Sequence, residues 1–226
     1  MIRRFSVILF FVCVAPLLRG ADLLDCIVAT VNGHIILQSD WDDALRYQAL
    51  IAGLAPGQAS TAERKAVLDR LIDQELLQEQ MHATDFQHAT ESEIDPRMQE
   101  IRQQHGDATD DSSWLKVLSK YGFDAETFRH HVALELDLLR LVDARLRPKV
   151  SIDSNSIESY YSQELLPQLR QSGANEVPLA AATPKIKELL TEQKVNELLE
   201  AWLIDLRSGS QIRTELSTDY SSGEAR

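Results

Sequence analysis

Cys26-Ile27-Val28-Ala29-Thr30-Val31-Asn32-Gly33-His34-Ile35-Ile36-Leu37-Gln38-Ser39-Asp40 decides how the chain begins to fold. Ile27 to Val31 is apolar and β-branched, which suits a strand. Asn32-Gly33 is the pair that a two-residue type I′ turn favours, because both central residues need a positive φ. His34 to Leu37 returns as a second strand. Ser39 or Asp40 can cap a helix by offering an oxygen to its unpaired N–H groups. The order is therefore strand, tight turn, strand, helix.

Upstream, Arg3 and Arg4 precede an apolar run from Phe5 to Leu18. That pattern reads as an export signal over residues 1–20, cleaved near Gly20 or Ala21. An uncleaved N-terminal anchor is the alternative. The run is short for a membrane span, and no other segment is apolar enough for one, so an exported, soluble protein without stable membrane insertion is expected. The chain has 226 residues and a formal charge of −12. Loss of the three arginines in residues 1–20 moves the charge to about −15. An acidic surface of this kind argues against nucleic acid as a partner. Cys13 leaves with the signal, so Cys26 has no partner for an internal disulfide. A buried strand thiol is expected there, with a reactive thiol as the alternative.

Beyond the hairpin the pattern is helical. A first helix is expected from about Asp40 to Ala52. Ser60 and Glu63 form a capping box that opens a second, with Val67, Leu68, Leu71, Ile72, Leu76 and Leu77 on its core face. A third helix starts either at Thr90 with Glu93 or at Asp95 with Pro96, and a bend or boundary is expected at the proline. Ser112 to Lys120 is a short helix closed by Gly122. Asp124 caps a long helix that ends before Pro148. That helix is apolar on two sides, through Phe128, Val132, Leu139, Val142 and Leu146, and through Leu134, Leu138 and Leu141. It belongs at the centre of the domain. Glu75 and Glu135 fall near apolar stripes. They either pair with arginines such as Arg70, Arg129 or Arg140, or turn out to solvent.

Asp153 begins another helix, which Pro167 is expected to end. A linker over 167–183 leads to a helix from Thr183-Pro184 to about Arg207. On that helix Ile186, Leu189 and Leu190 lie opposite Val195, Leu199, Trp202 and Leu206, so it must meet two partners. A helix swapped into a second copy would supply one of them. Gln211 to Leu216 reads as a strand that pairs with the opening hairpin, and 217–226 as a disordered tail. The expected fold is mainly α, a single multi-helix domain over 21–216. Its N-terminal part is 21–166, its C-terminal helix and strand are 184–216, and its small N-terminal hairpin pairs with that strand.

Nothing in the chain points to catalysis or a cofactor. It has no Gly-x-x-x-x-Gly-Lys-Ser/Thr phosphate cradle and no nucleophile elbow. Its six histidines, His34, His82, His88, His105, His130 and His131, do not pair at metal-binding spacing on one helix.

Four blocks line up with a known family. They are Val28 to Trp41, the run Val67-Leu68-Asp69-Arg70-Leu71-Ile72-Asp73-Gln74-Glu75-Leu76-Leu77-Gln78-Glu79, Tyr121-Gly122-Phe123 through Phe128-Arg129, and the Trp202 helix with its strand. Together they resemble the chaperone domain of the SurA family of periplasmic folding factors. The resemblance implies an ATP-independent holdase for unfolded outer-membrane proteins or other exported polypeptides. Relatives carry parvulin-type prolyl isomerase domains before the final helix. Here that interval, from Ser162 to Thr183, is too short for one, and no Gly-Gly-x-Leu-Gly stretch occurs, so a non-enzyme is expected. An isomerase and an adaptor for one folded envelope partner are the alternatives. Exposed Met and aromatic side chains adapt to varied clients. The candidates for client contact are Trp41, Tyr47, Met81, Met98, Trp114, Tyr160 and Tyr161, each of which could instead be core or scattered surface.

Overall fold

The computed structural model describes residues 25–83 and 86–215. The expected signal segment 1–20 and the expected tail 217–226 lie outside these. Strand β1 (Ile27–Val31) turns through Asn32, φ 51°, and Gly33, φ 94°, into β2 (His34–Leu37). These are the left-handed conformations that Asn-Gly supplies. Ile27 pairs with Leu37 and Ala29 with Ile36, so Val28 is an extra residue in the ladder, and both Val28 and Ala29 reach the core. Strand β3 (Ile212–Thr214) lies antiparallel on the other side of β1, giving the order β2-β1-β3. Among the described residues the fold is mainly α, with one small sheet that joins Ile27–Leu37 to Ile212–Thr214.

Among the described residues there are eight α-helices: α1 (Gln38–Ile51), α2 (Thr61–His82), α3 (Glu91–Gln103), α4 (Asp111–Lys120), α5 (Ala125–Leu146), α6 (Ser154–Tyr160), α7 (Leu166–Ser172) and α8 (Leu179–Ser208). Ser60, Asp110, Asp124 and Asp153 cap α2, α4, α5 and α6 through their side-chain oxygens. Thr90 is the start of α3, and its N–H is held by the Glu93 carboxylate at 2.8 Å. The start of α1 differs from expectation. Leu37 is its first flanking residue, and Asp40 reaches back to the Leu37 N–H at 2.8 Å instead of capping. Gly122, φ 81°, closes α4, and a Cβ there would stand 3.2 Å from Arg46 Nε.

Both interior prolines are tolerated. Pro96 and Pro184 each sit in the second turn of their helix, so the lost ladder bond would have gone to Ser92 or Ala180 in the first turn. Hence α3 has no boundary at Pro96. α8 starts at Leu179 and not at Thr183, because the Pro178 carbonyl accepts the Ala181 and Ala182 N–H groups. Pro167 does not end its helix either. A π-helical turn over Tyr161–Leu165 sends the Leu166 N–H back five residues to Tyr161, and helix resumes through the proline until Gly173, φ 68°. The expected linker 167–183 thus shrinks to 173–178.

α5 is central. Phe128 and Val132 are fully buried among α3, α4 and the end of α1, with Trp114 edge-on to Phe128 at 5.4 Å. Val28, Ala29, Val31 and Ile36 of the sheet pack on Val67, Leu68, Ile72 and Leu76 of α2. The two stripes of α8 both find partners in the same chain. Ala182 and Ile186 meet Ile157 of α6, whereas Val195, Leu199 and Trp202 meet Val142, Leu146, Leu77 and Leu141. Two expectations fail here. Leu139 is 57% exposed, because α3 and α8 cover α5 on other faces, and Cys26 is exposed, because β1 begins after it.

Phe128→Ala should lower the unfolding free energy by about 3–5 kcal/mol in urea titration, whereas Leu139→Ala should stay within about 0.5 kcal/mol of the parent.

Candidate functional site

Helices α1, α2 and α5 splay to leave a groove of about 500 Å³, closed at one end by β2. Helical spacing builds each wall. Asp40, Asp43, Ala44 and Tyr47 come from α1, Val67, Arg70, Leu71, Gln74 and Glu75 from α2, and Thr127, His130, His131, Leu134, Glu135 and Leu138 from α5. Gln48 of α1 and Ile35 and Ile36 of β2 complete it. The apolar side chains Leu71, Leu134, Leu138 and Ala44 are partly exposed, so the floor is greasy and reachable from solvent.

Charged groups are tied down around this floor. Glu135 accepts from the Tyr47 hydroxyl at 2.8 Å and from Arg97 at 2.8 and 3.1 Å. The partner of Glu135 is thus Arg97. Arg129 pairs with Glu91 and Asp95, Arg140 with Glu93, and Arg70 bonds Gln48. Glu75 lies 3.3 Å from His34. Burial, then the negative charge of Glu135, push the Tyr47 hydroxyl far above its ordinary range, so it stays a neutral donor. His131 stacks on Tyr47 with centroids 4.8 Å apart and meets the Phe123 edge at 5.3 Å. Burial lowers its pKa, with Asp43 opposing and His130 assisting.

Of the seven expected contact residues, the structure brings Tyr47 alone to this groove. Trp41 is buried under the sheet, donates to the Arg64 carbonyl at 2.8 Å, and has the Arg64 guanidinium on its face. Met81 and Trp114 are core residues, and Met98 packs half-buried on the α3–α4–α5 core. Tyr160 and Tyr161 pack on the α6–α8 cluster, where the Tyr161 hydroxyl donates to the Val177 carbonyl at 2.7 Å. The groove wall is mainly aliphatic, so a pattern of Met and aromatic residues does not mark it. Leu134 and Leu138 were visible as the second stripe of α5, and His131 and Ile35 carried no pattern of their own. Asp137 was also missed. It is the buried carboxylate of α5, held by His88 at 2.7 Å and the Ala89 N–H at 2.6 Å.

Among the described residues no group of His, Cys, Asp or Glu could hold a metal ion, and no helix is long and apolar enough to cross a membrane. The geometry defines a helical domain with an open, mixed-polarity groove. Residues 4–141 match the family described as SurA-like N-terminal domain, and the chain belongs to that family. Every groove residue falls inside the matched span. A comparison with curated proteins gave no match.

His131 is held neutral in the fold, so the unfolded chain takes up its proton first as pH falls. Stability tied to this ring is present at neutral pH and is lost on acidification. His131→Phe keeps the stack and removes the proton site. Thermal melts from about pH 7 to about pH 5 should show a shallower fall in Tm for this variant than for the parent. Equal slopes would mean that the ring does not titrate within this range.

Proposed function

We propose that this protein is an ATP-independent periplasmic holdase that binds unfolded outer-membrane proteins or similar exported chains through the α1–α2–α5 groove. The observation that carries this reading is the reachable apolar floor formed by Leu71, Leu134 and Leu138 inside a charged rim. An unfolded barrel protein exposes segments in which apolar residues alternate with polar ones. A shallow groove covers such a segment weakly and lets it go without a fuel, because each contact desolvates only part of a side chain. Family membership supports a chaperone role. The basic and apolar N-terminal stretch supports export to the periplasm. The interval in which relatives carry an isomerase is filled by the π-turn, α7, a short loop and the start of α8, so we assign no isomerase step.

An unfolded β-barrel protein diluted from urea should scatter less light when this protein is in several-fold molar excess without ATP. Leu71→Ser with Leu134→Ser should abolish the effect while far-UV circular dichroism stays at the parent level. The reading is sunk if the parent leaves scattering unchanged, or if the double variant works equally well. Recovery of one folded envelope partner in place of varied barrel proteins would favour an adaptor.

A further inference from the structure

We infer that the groove captures its client by strand addition. A short extended segment, with apolar residues alternating and one lysine or arginine among them, pairs with the outer edge of β2. This deepens the holdase reading and rests on it.

β2 is an outer strand of the sheet. In a two-residue hairpin the residues flanking the turn, here Val31 and His34, exchange both ladder bonds, and the pattern then alternates. Ile36 therefore also bonds toward β1, and the Ile35 N–H and C=O point outward. The same parity on β1 sends Thr30 toward β3, where it faces Arg213. The next outward N–H on β2, that of Leu37, is already held by Asp40. The open edge is thus centred on one residue. Ile35 is 55% exposed and lines the end of the groove. Natural edges are usually blunted by lysine or proline, and His34-Ile35-Ile36-Leu37 contains neither.

A strand laid against Ile35 continues into the groove. The α5 wall from Thr127 to Leu138 is about 16 Å long, room for about five extended residues. Side chains alternate across a strand. One face of the added strand therefore shares the side of His34 and Ile36, toward α2, and the other looks to solvent. That suits a segment apolar at every second position. Charge selects further. The groove lining holds Asp40, Asp43, Glu75 and Glu135, against Arg70 as its one permanent cation. A basic residue in the segment is attracted there, and an acidic one is repelled.

The probe is a nine-residue peptide of alternating valine and threonine with a central lysine, titrated against the full chain by fluorescence anisotropy. Two further versions carry N-methyl groups on the odd or on the even amides. One methylation pattern should weaken binding by about tenfold and the other should not, since only one edge of the peptide donates to β2. Exchange of the Ile35 amide hydrogen should slow when the parent peptide binds. Ile35→Pro removes the outward N–H and should weaken binding by about tenfold, and Ile35→Ala should weaken it less. Replacing the lysine by glutamate should also weaken binding.

Equal loss from both methylation patterns, or unchanged exchange at Ile35, overturns strand addition. If the parent chain and Ile35→Pro then still suppress client scattering equally, the holdase reading stands without it. If neither suppresses scattering while the peptide results hold, the holdase reading fails and the edge remains a peptide site. A concentration-dependent dimer abolished by Ile35→Pro would assign the edge to a second copy. Faster Ile35 exchange in the free protein after removal of residues 216–226 would assign it to the chain's own end. Either result overturns the client as occupant.

Discussion

The docking of the last strand and its helix against the opening hairpin holds the rest of the structure in place. β1 has a partner on both sides only because Ile212–Thr214 returns to it. Asn32 is the pin. Its N–H donates to the Gln211 carbonyl at 2.9 Å, its side-chain oxygen accepts the Gln211 N–H at 2.8 Å, and its side-chain amide reaches Glu79 at 2.8 Å and Ser210 at 3.2 Å. One turn residue therefore ties the hairpin, α2 and the end of α8 together. Beside it Arg207 donates to Asp73 at 2.6 Å and to the Asp69 carbonyl at 2.8 Å. These contacts close a loop of nearly the whole described chain. Because loop entropy grows slowly with length, the closure adds little beyond that of a much shorter loop, and the β1–β3 pairing is non-local while the β1–β2 hairpin is local.

The groove follows from this closure. α2 is gripped on one side by the sheet, through Val67, Leu68, Ile72 and Leu76, and further along by α8, through Leu77 and Met81. α5 is gripped by α3 and α4 on one side and by α8 on another. With both helices held from outside, Leu71 on α2 and Leu134 and Leu138 on α5 are only partly covered and stay reachable from the groove. An exposed apolar patch in a folded chain marks a surface available for interaction. The floor residues rest on these cores with one side, Leu71 on the sheet–α2 cluster and Leu134 and Leu138 on the Leu77–Met81–Leu141 cluster, and only their outer sides face the groove.

Local chemistry made the element order readable. Asn32-Gly33, the Ser60–Glu63 box, Asp124 and Gly122 each do their work within a few residues, and each stands where the pattern places it. The two faces of α8 were readable as well, since periodicity alone shows that one partner is not enough. Where reading stopped, the deciding partner lay far along the chain. Glu135 has several arginines at plausible spacing, and only the packing of α3 on α5 selects Arg97. The prolines misled for a related reason. Their effect depends on which turn of the helix they occupy, and the start of α8 was set by Pro178, not by Thr183. The candidate site was the least legible part. Burial decided which aromatic residues are available, and Trp41 and Trp114 are fixed in cores that no single helix reveals.

A greasy groove beside a bare strand edge is also a hazard, because the features that take up an unfolded segment invite self-association. Charge is the counterweight here. A formal charge of −12 keeps copies apart over distances beyond the groove itself. Inside it, the acidic lining repels another acidic copy while it attracts a basic segment. For the proposed client, the same arrangement limits residence time. The groove carboxylates already have partners, Glu135 with Arg97 and Tyr47, and Glu75 with His34, so an incoming cation finds field but few vacant oxygens to lock onto. Attraction without a dedicated ion pair favours rapid encounter and ready escape, the kinetic balance that the proposed holdase role calls for.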